Sequence, residues 1–368
     1  MNHTNQSLSG IALQKFKKNF WGVFSFWFIV VLIFLSVFAY VFAPDNSENA
    51  NQMHLSIHSK SPGFEVTMLS IPLEEKPETS IFNYFSGFPN TVTEIPLLNY
   101  KIVGNSISYE EYTDEPSLKI TKQIELAKFS GAKTIQEAEK QFIRKQHFIL
   151  GTDKYGRDVL SRMLVGSRVS LSIGFVAVFI SLIVGIFFGA IGGYFGGKVD
   201  AFVMWLVNII WSIPTLLLVI AITLTLGKGF WQVFVAVGLT MWVEVARVVR
   251  GQVISVKEMQ YVTAARALGF GNTRIIFNHI LPNIMAPVIV ISAANFASAI
   301  LVESGLSFLG LGAQPPIPSW GSMIKDHYSY IILGKPYLAM APGLAIMFVT
   351  LAFMMVGNAL RDALDVKT

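Results

Sequence analysis

The 368-residue chain contains no cysteine. That absence excludes a disulfide framework and any metal site built on thiolates, and it leaves the redox compartment open. Charge is scarce too: Asp, Glu, Lys and Arg are 14% of the residues, against roughly 25% in an ordinary soluble domain. Hydrophobic residues fill the gap at 53%. The composition is that of a membrane protein. A charged side chain at mid-bilayer costs about 2.5 to 3.5 kcal/mol, so charge-free runs mark where such a chain can cross.

Six runs qualify. The first, Phe20 to Ala43, is long enough at about 1.5 Å per residue to cross a core of roughly 30 Å with some tilt. It follows Lys15, Lys17 and Lys18 as a secretory signal would, but it exceeds the usual signal core and no A-x-A site follows, so an uncleaved anchor is expected. The next are Val169 to Gly197 and Ala201 to Gly227. Gly229 to Val243 is short and must borrow apolar residues as far as Val249. Ile280 to Val302 carries two prolines, which a membrane helix tolerates when neighbours satisfy the freed backbone groups. Pro336 to Leu360 is the sixth.

An even number of spans puts both termini on one side. If that side is cytoplasmic, the inside segments hold Lys15, Lys17, Lys18, Lys198, Arg247, Arg250, Lys257, Arg266, Arg274, Arg361 and Lys367. The short outside segments hold Lys154, Arg157, Arg162, Arg168, Lys228, Lys325 and Lys335. The bias favours cytoplasmic termini, although the arginines before the second span pull the other way. The net charge of +5 reflects these flanks and gives no reason to expect nucleic acid.

Residues 44–147 do not belong to the bundle. They are polar, with Pro62, Pro72, Pro77, Pro89, Pro96 and Pro116, alternating patches in "HLSIHSK" and "YKIVGNSISYEEY", and a helical pattern in "KTIQEAEKQFIRKQ". The stretch is long enough for a small domain and equally compatible with a partly disordered loop. The expected organisation is a tail (1–19), a first span (20–43), the insert (44–147) and a core (148–368) containing a polar loop (250–283).

Two motifs invite a chemical reading. "GGYFGGKV" places Gly192, Gly197 and Lys198 at phosphate-loop spacing, but Val199 lacks the magnesium-binding hydroxyl and a span precedes it where a strand should. A tight glycine-rich turn explains it better. Ser322 and Lys325 are three apart as in Ser/Lys acyl enzymes, yet the companion motifs are missing. No H-E-x-x-H occurs, and no spans carry facing carboxylates. Enzyme activity in this chain is not expected.

The segment "YVTAARALGFGNTRIIFNHILPN" (261–283) is the informative one. Tyr261, Ala264, Ala265 and Leu268 recur at helical spacing and make a stripe of small and apolar residues flanked by Thr263 and Arg266. Gly269 ends that helix, since glycine accepts the left-handed conformation cheaply. A second helical piece, Thr273 to Ile280, leads to Pro282 and the fifth span. A small-sided helix can lie in another protein's groove, and a basic amphipathic one can rest on anionic headgroups. Spacing alone leaves both readings open.

"TAARALG", nine residues and "HILP" resemble the short cytoplasmic loop of ABC importer permeases. "GTDKYGRDVLSRMLVGSRVSL", "GYFGGKVD", "VRGQVISVKEMQYVTAARALG", "IIFNHILPN", "SGLSFLGLGAQPPIPSWG" and "GNALRDALD" are similar to the second permease subunit of the dipeptide, oligopeptide and nickel importers. Together they span residues 148 to 365. Thr263 stands where that pattern has glutamate, and the insert is longer than typical members have.

The resemblance implies an all-α polytopic fold of six transmembrane helices, with an extracytoplasmic polar insert between the first two. It implies a multi-pass plasma-membrane permease with cytoplasmic termini, importing peptides or similar solutes. Its implied partners are a second permease, two ATP-binding subunits and an external substrate-binding protein. ATP and Mg would then sit on the partners and no cofactor on this chain. Thr263, Ala264, Ala265, Arg266, Gly269 and Pro282 would couple ATPase motion to the spans. Asn208, Thr223, Thr225, Asn295 and Ser298 are polar candidates for the translocation path, each equally able to make a helix-to-helix hydrogen bond. Glu303, a carboxylate at the outer end of the fifth span, joins them, with Arg157 or Arg162 as expected partners. Rival readings are a membrane scaffold whose insert binds a partner, and a permease for nickel chelates, oligosaccharides or an antibiotic peptide.

Overall fold

A computed structural model describes residues 8–73, 80–115, 120–129, 131–227 and 229–364. Pro77, Pro116, Lys228, Asp365 and Lys367 lie outside the described residues. The chain runs through helices α1 (Leu8–Lys18), α2 (Phe20–Val37) and α3 (Ala39–Phe42), then β1 (Phe64–Pro72), α4 (Asn83–Ser86), β2 (Val92–Val103), β3 (Ser106–Glu111), β4 (Thr121–Glu125), α5 (Ile135–Phe142) and β5 (Ile143–Phe148). The remainder is helical: α6 (Val159–Phe195), α7 (Gly197–Ser212), α8 (Thr215–Leu226), α9 (Phe230–Val256), α10 (Gln260–Ala267), α11 (Asn272–Ile275), α12 (Leu281–Phe308), α13 (Trp320–His327) and α14 (Tyr337–Leu364). It divides into two compact units, one of residues 1–33, 169–314 and 343–368, the other of residues 34–168 and 315–342.

Among the described residues, five helical segments are long and apolar enough to cross a membrane: Phe20–Val37, Val159–Phe195, Phe230–Val256, Asn272–Phe308 and Tyr337–Leu364. The expected third span, Ala201 to Gly227, is instead a helix pair, α7 and α8, bent by 92°. Proline explains the break. Pro214 has no N–H to continue α7 and forces the preceding residue out of helical geometry, and Ile213 is extended at φ −92° and ψ 128°. The segments starting at Val159 and Asn272 also reach well beyond their charge-free runs, because a helix continues as long as its backbone and side chains find partners.

In the first unit the helices meet at glycines. Gly185, Gly189 and Gly193 fall every fourth residue on α6, so they form one line along its surface. A Cβ at Gly185 would lie 2.8 Å from the Trp242 carbonyl, at Gly189 2.6 Å from that of Ala246, and at Gly193 2.9 Å from that of Arg250. Only hydrogen fits, and α9 packs backbone to backbone against α6. Lipid offers no hydrophobic drive between helices, so this close approach is what holds such a pair together. Gly22 plays the same part where α2 meets Ala359 of α14. Below the seam, Arg250 grips Asp200 through Nε and Nη2 at 2.5 and 2.6 Å, and Lys257 donates to the Gly193 carbonyl at 3.1 Å.

The glycine-rich turn between α6 and α7 is present, with Gly196 and Gly197 at φ +66° and +55°.

The second unit corrects the all-α expectation. Its five-stranded antiparallel sheet has the order β4-β3-β2-β1-β5. Alternating β-branched and aromatic residues in "YKIVGNSISYEEY" favour strands, and Gly104-Asn105 makes the two-residue hairpin turn, with Val103 facing Ser106. Strand β1 is covered on both faces. Leu69 joins Leu97, Ile107, Phe129 and Ala138 of α5 on one side, while Val66 and Met68 join Ile57 and Phe148 on the other.

Two local expectations also change. "HLSIHSK" contains a short 3-10 turn, Leu55–Ile57, in place of a strand. The helix in "KTIQEAEKQFIRKQ" starts at the cap provided by Thr134, which accepts from the Glu137 amide at 3.2 Å, but stops at Phe142, where the chain enters β5. Ser322 closes a capping box at the start of α13, where Ser319 is the cap: it accepts from the Ser319 amide at 3.0 Å, reciprocating the bond from its own amide to Ser319 Oγ.

Candidate functional site: the 250–283 loop

The loop lies wholly in the first unit. Helix α10 begins after Met259, which is extended, and ends in a tight glycine cap. The Gly269 amide donates to the Arg266 carbonyl at 2.9 Å and the Phe270 amide to the Ala265 carbonyl at 3.1 Å, with Gly269 at φ +78°. This pair of bonds is the Schellman arrangement, in which a left-handed residue satisfies the last helical carbonyls.

The two faces of α10 differ sharply. Val262 and Ala265 are buried, at 0% and 4% exposure, in a core with Ala190 and Tyr194 of α6, Val245, Val249 and Val253 of α9, and Ile276, Ile280 and Ile284 further along the chain. Tyr261, Ala264 and Leu268 face outward, Leu268 at 72% exposure. The expected stripe is therefore split. Ala265 packs inside the chain, and the outward surface comprises Tyr261, Thr263, Ala264, Arg266, Ala267 and Leu268. Arg266 stacks its guanidinium over Tyr194 at 5.5 Å, and Tyr194 in turn donates to Asn272 Oδ1 at 2.9 Å.

Beyond Gly271 the chain is helical from Asn272 to Phe308 without interruption. A single π-turn, Ile276–Ile280, sits immediately before Pro282. The proline ring would clash with the carbonyl four residues back, and widening the helix relieves that clash. Asn283 Nδ2 donates to the His279 carbonyl at 2.7 Å, satisfying an acceptor in the widened turn. Phe270 and His279 stack at 5.8 Å, and Arg274 lies over the Phe270 ring at 4.1 Å. These contacts brace the hinge between α10 and α11.

The polar residues expected along a path are dispersed. Asn208 accepts from Arg247 Nη2 at 2.9 Å, and Thr225 donates to the Ala221 carbonyl at 2.8 Å. Thr223 Oγ1 and both polar atoms of Asn295 are buried with no hydrogen-bond partner among the described residues. Ser298 is half-buried. Glu303 is fully buried, and Ser307 donates to its Oε1 at 2.7 Å. The arginines expected beside Glu303 are engaged by Asp153, which lies 2.6 Å from Arg157 and 3.8 Å from Arg162.

A cavity of about 560 Å³ that sequence reading did not single out lies among α9, α12 and α14. It is lined by Val248, Ala286, Pro287, Val290, Ile291 and Ala294, with Asn358, Arg361 and Leu364 at its side. Pro287 within α12 was its one visible signal. Among the described residues there is no cluster of three or more His, Asp or Glu able to hold a metal.

A set of long apolar helices, three of which share one core with the short helix α10, fits a transport permease, and the family comparison defines that class. Residues 181–368 match the family described as binding-protein-dependent transport system inner membrane component, and residues 7–62 match the N-terminal TM domain of oligopeptide transport permease C. The chain belongs to the first of these families. Among its relatives, the dipeptide transport system permease protein DppC of Alkalihalophilus pseudofirmus is 44% identical over 217 residues, 59% of this chain and 71% of the relative. The oligopeptide transport system permease protein OppC of Bacillus subtilis is 39% identical over 223 residues, 61% and 72% of the two chains. An inward-facing structure of the MetNI methionine ABC transporter aligns with a TM-score of 0.46 at 18% identity, covering 55% of this chain and 95% of that one.

Proposed function

We propose that this chain is one of two permeases in an ATP-driven importer of peptides or similar solutes. In this reading α10 docks on a cytoplasmic ATP-binding subunit, a second permease completes the path, and an external binding protein delivers the solute. ATP and Mg reside on the ATP-binding subunits, both termini are cytoplasmic, and the insert is extracytoplasmic. The names of the relatives support the substrate class.

The observation that carries the reading is the continuity of one apolar core from the inner face of α10 to three spanning helices. Closely packed interiors transmit strain, so a push on the outer face of α10 reaches α6, α9 and α12 together. The unbroken helical segment Asn272–Phe308 carries the same displacement toward the far side of the membrane. Alternating access then requires only that the ATPase favour one of two packings of the bundle over the other. Thr263 lies on the outward surface of α10, where a longer acidic side chain would reach a partner that threonine does not.

The test is reconstitution of the chain with its companion subunits in liposomes. Solute-loaded binding protein should stimulate ATP hydrolysis and drive uptake, and peptide-loaded protein should do so where the empty protein does not. Basal hydrolysis that ignores the loaded binding protein contradicts the importer reading and favours a scaffold.

A further inference from the structure

Ile81 and Phe82 are 81% and 79% exposed on a structured part of a polar insert, with Tyr84 and Phe85 about half exposed beside them. Residues 80–90, "SIFNYFSGFPN", carry no charge. Isolated exposed apolar side chains are ordinary, but a charge-free cluster of large ones marks a surface that something apolar covers.

The fold fixes where that cluster sits. Helix α4 is tied to the chain that leaves the first spanning helix: Ser47 pairs with Phe88, the Phe88 amide donates to the Asn46 carbonyl at 2.9 Å, and Gly87 lies so close to Glu48 that a Cβ would meet its Cα at 2.3 Å. Phe85 packs on Phe38 with ring centroids 6.0 Å apart, and Phe38 continues to Phe34 at 4.9 Å. Phe34, Val41 and Phe42 on the same end of the span are about half exposed. An aromatic ladder thus runs without a break from a membrane helix onto α4.

Depth follows from length. The 18 residues of α2 make about 27 Å at 1.5 Å per residue, nearly the whole hydrocarbon thickness of roughly 30 Å. The turns just beyond it, Ala39–Phe42, therefore emerge at headgroup level, and α4 is held against them. Aromatic side chains at that level are the usual interfacial anchors.

We propose that residues Ile81 to Phe85 insert into the lipid leaflet on the insert's own side, so that the sheet-bearing insert is moored to the bilayer at a second point besides the span. The occupant is lipid. An apolar surface continuous with a lipid-facing helix, at headgroup depth and free of charge, meets acyl chains before it meets any other partner.

The absence of native cysteine makes the test direct. A Phe82→Cys chain, purified in its complex and labelled with an environment-sensitive fluorophore, is placed in phosphatidylethanolamine/phosphatidylglycerol nanodiscs. The unsubstituted complex gives the labelling background. Emission should shift to the blue and be quenched severalfold by lipids bearing a doxyl group near the headgroup, and a water-soluble quencher should have little effect. Tyr84→Cys should behave alike, whereas Lys101→Cys on β2 should show the reverse. A Phe82 label open to the aqueous quencher overturns the proposal. A label shielded from both quenchers, or crosslinked to another subunit, overturns it in favour of a protein partner.

Discussion

Neighbouring alanines on α10 have opposite fates. Ala264 faces outward and Ala265 is buried against the chain's own helices, so a bulky side chain should do different damage at each. Ala265→Trp should overpack the core at a cost of about 1 to 3 kcal/mol and lower the melting temperature of the detergent-solubilised chain. Ala264→Trp should leave that temperature unchanged while abolishing uptake and co-purification of the ATP-binding subunits. Equal loss of thermal stability in both variants would contradict the assignment of faces. The sequence could not distinguish the two, because small residues occur on both sides of α10 and the choice depends on which face meets Val249 and Val253.

Titration at single residues gives a second prediction, in the sheet unit. Burial pushes the His54 and His327 imidazoles below their ordinary value near 6.5, in spite of the nearby carboxylate of Glu94 for His54 and the Met323 carbonyl for His327. Both rings are therefore held neutral in the fold, while the unfolded chain takes up protons below about pH 6.5. Stability of this unit is fully present above that pH and falls as the pH drops toward the lowered values. Protection factors of the β1 and β2 amides, which correct for the slower intrinsic exchange at low pH, should fall between neutral pH and pH 5 in the native chain, and less so in His54→Gln. Protection that shows no excess acid sensitivity over the variant would contradict it.

At the scale of elements, two devices carry the account: the glycine line on α6 and the capped hinge before α11. Gly189→Leu would drive a side chain into the Ala246 carbonyl, 2.6 Å from where its Cβ must lie, and should prevent α6 and α9 from packing. Loss of folded chain in detergent, measured by size-exclusion chromatography, is the expected result; a normal profile would mean the seam is looser than described. Gly269→Pro cannot adopt φ +78° and removes the amide that donates to Arg266. It should uncouple ATP hydrolysis from uptake while the spans still assemble.

The spanning elements were legible because lipid excludes charge, and five of the six runs lie in long helices. The 92° bend was half legible: Pro214 marks a break, but nothing local to it sets the angle. The glycines at 185, 189 and 193 were visible as a spacing, whereas their partner on α9 is chosen by packing at long range. One hairpin of the sheet lies within "YKIVGNSISYEEY", but the closure of β5 on β1, with Phe64 facing Phe148, pairs strands from opposite ends of the insert, and no single patch reports that.

Across the whole molecule, the proposed function has power enter this permease from outside. Its family membership, the continuous core from α10 into the bundle and the unbroken helical run from Asn272 to Phe308 all fit a chain that receives motion. The central claim is that the outward face of α10 is where a motor docks, and photo-crosslinking in the working cell tests it most directly. A photoreactive residue at Leu268 should capture a chain that binds ATP, in an amount that varies with nucleotide state, while the same residue at buried Val262 should capture none. Capture of lipid alone at Leu268, in every nucleotide state, would contradict the account.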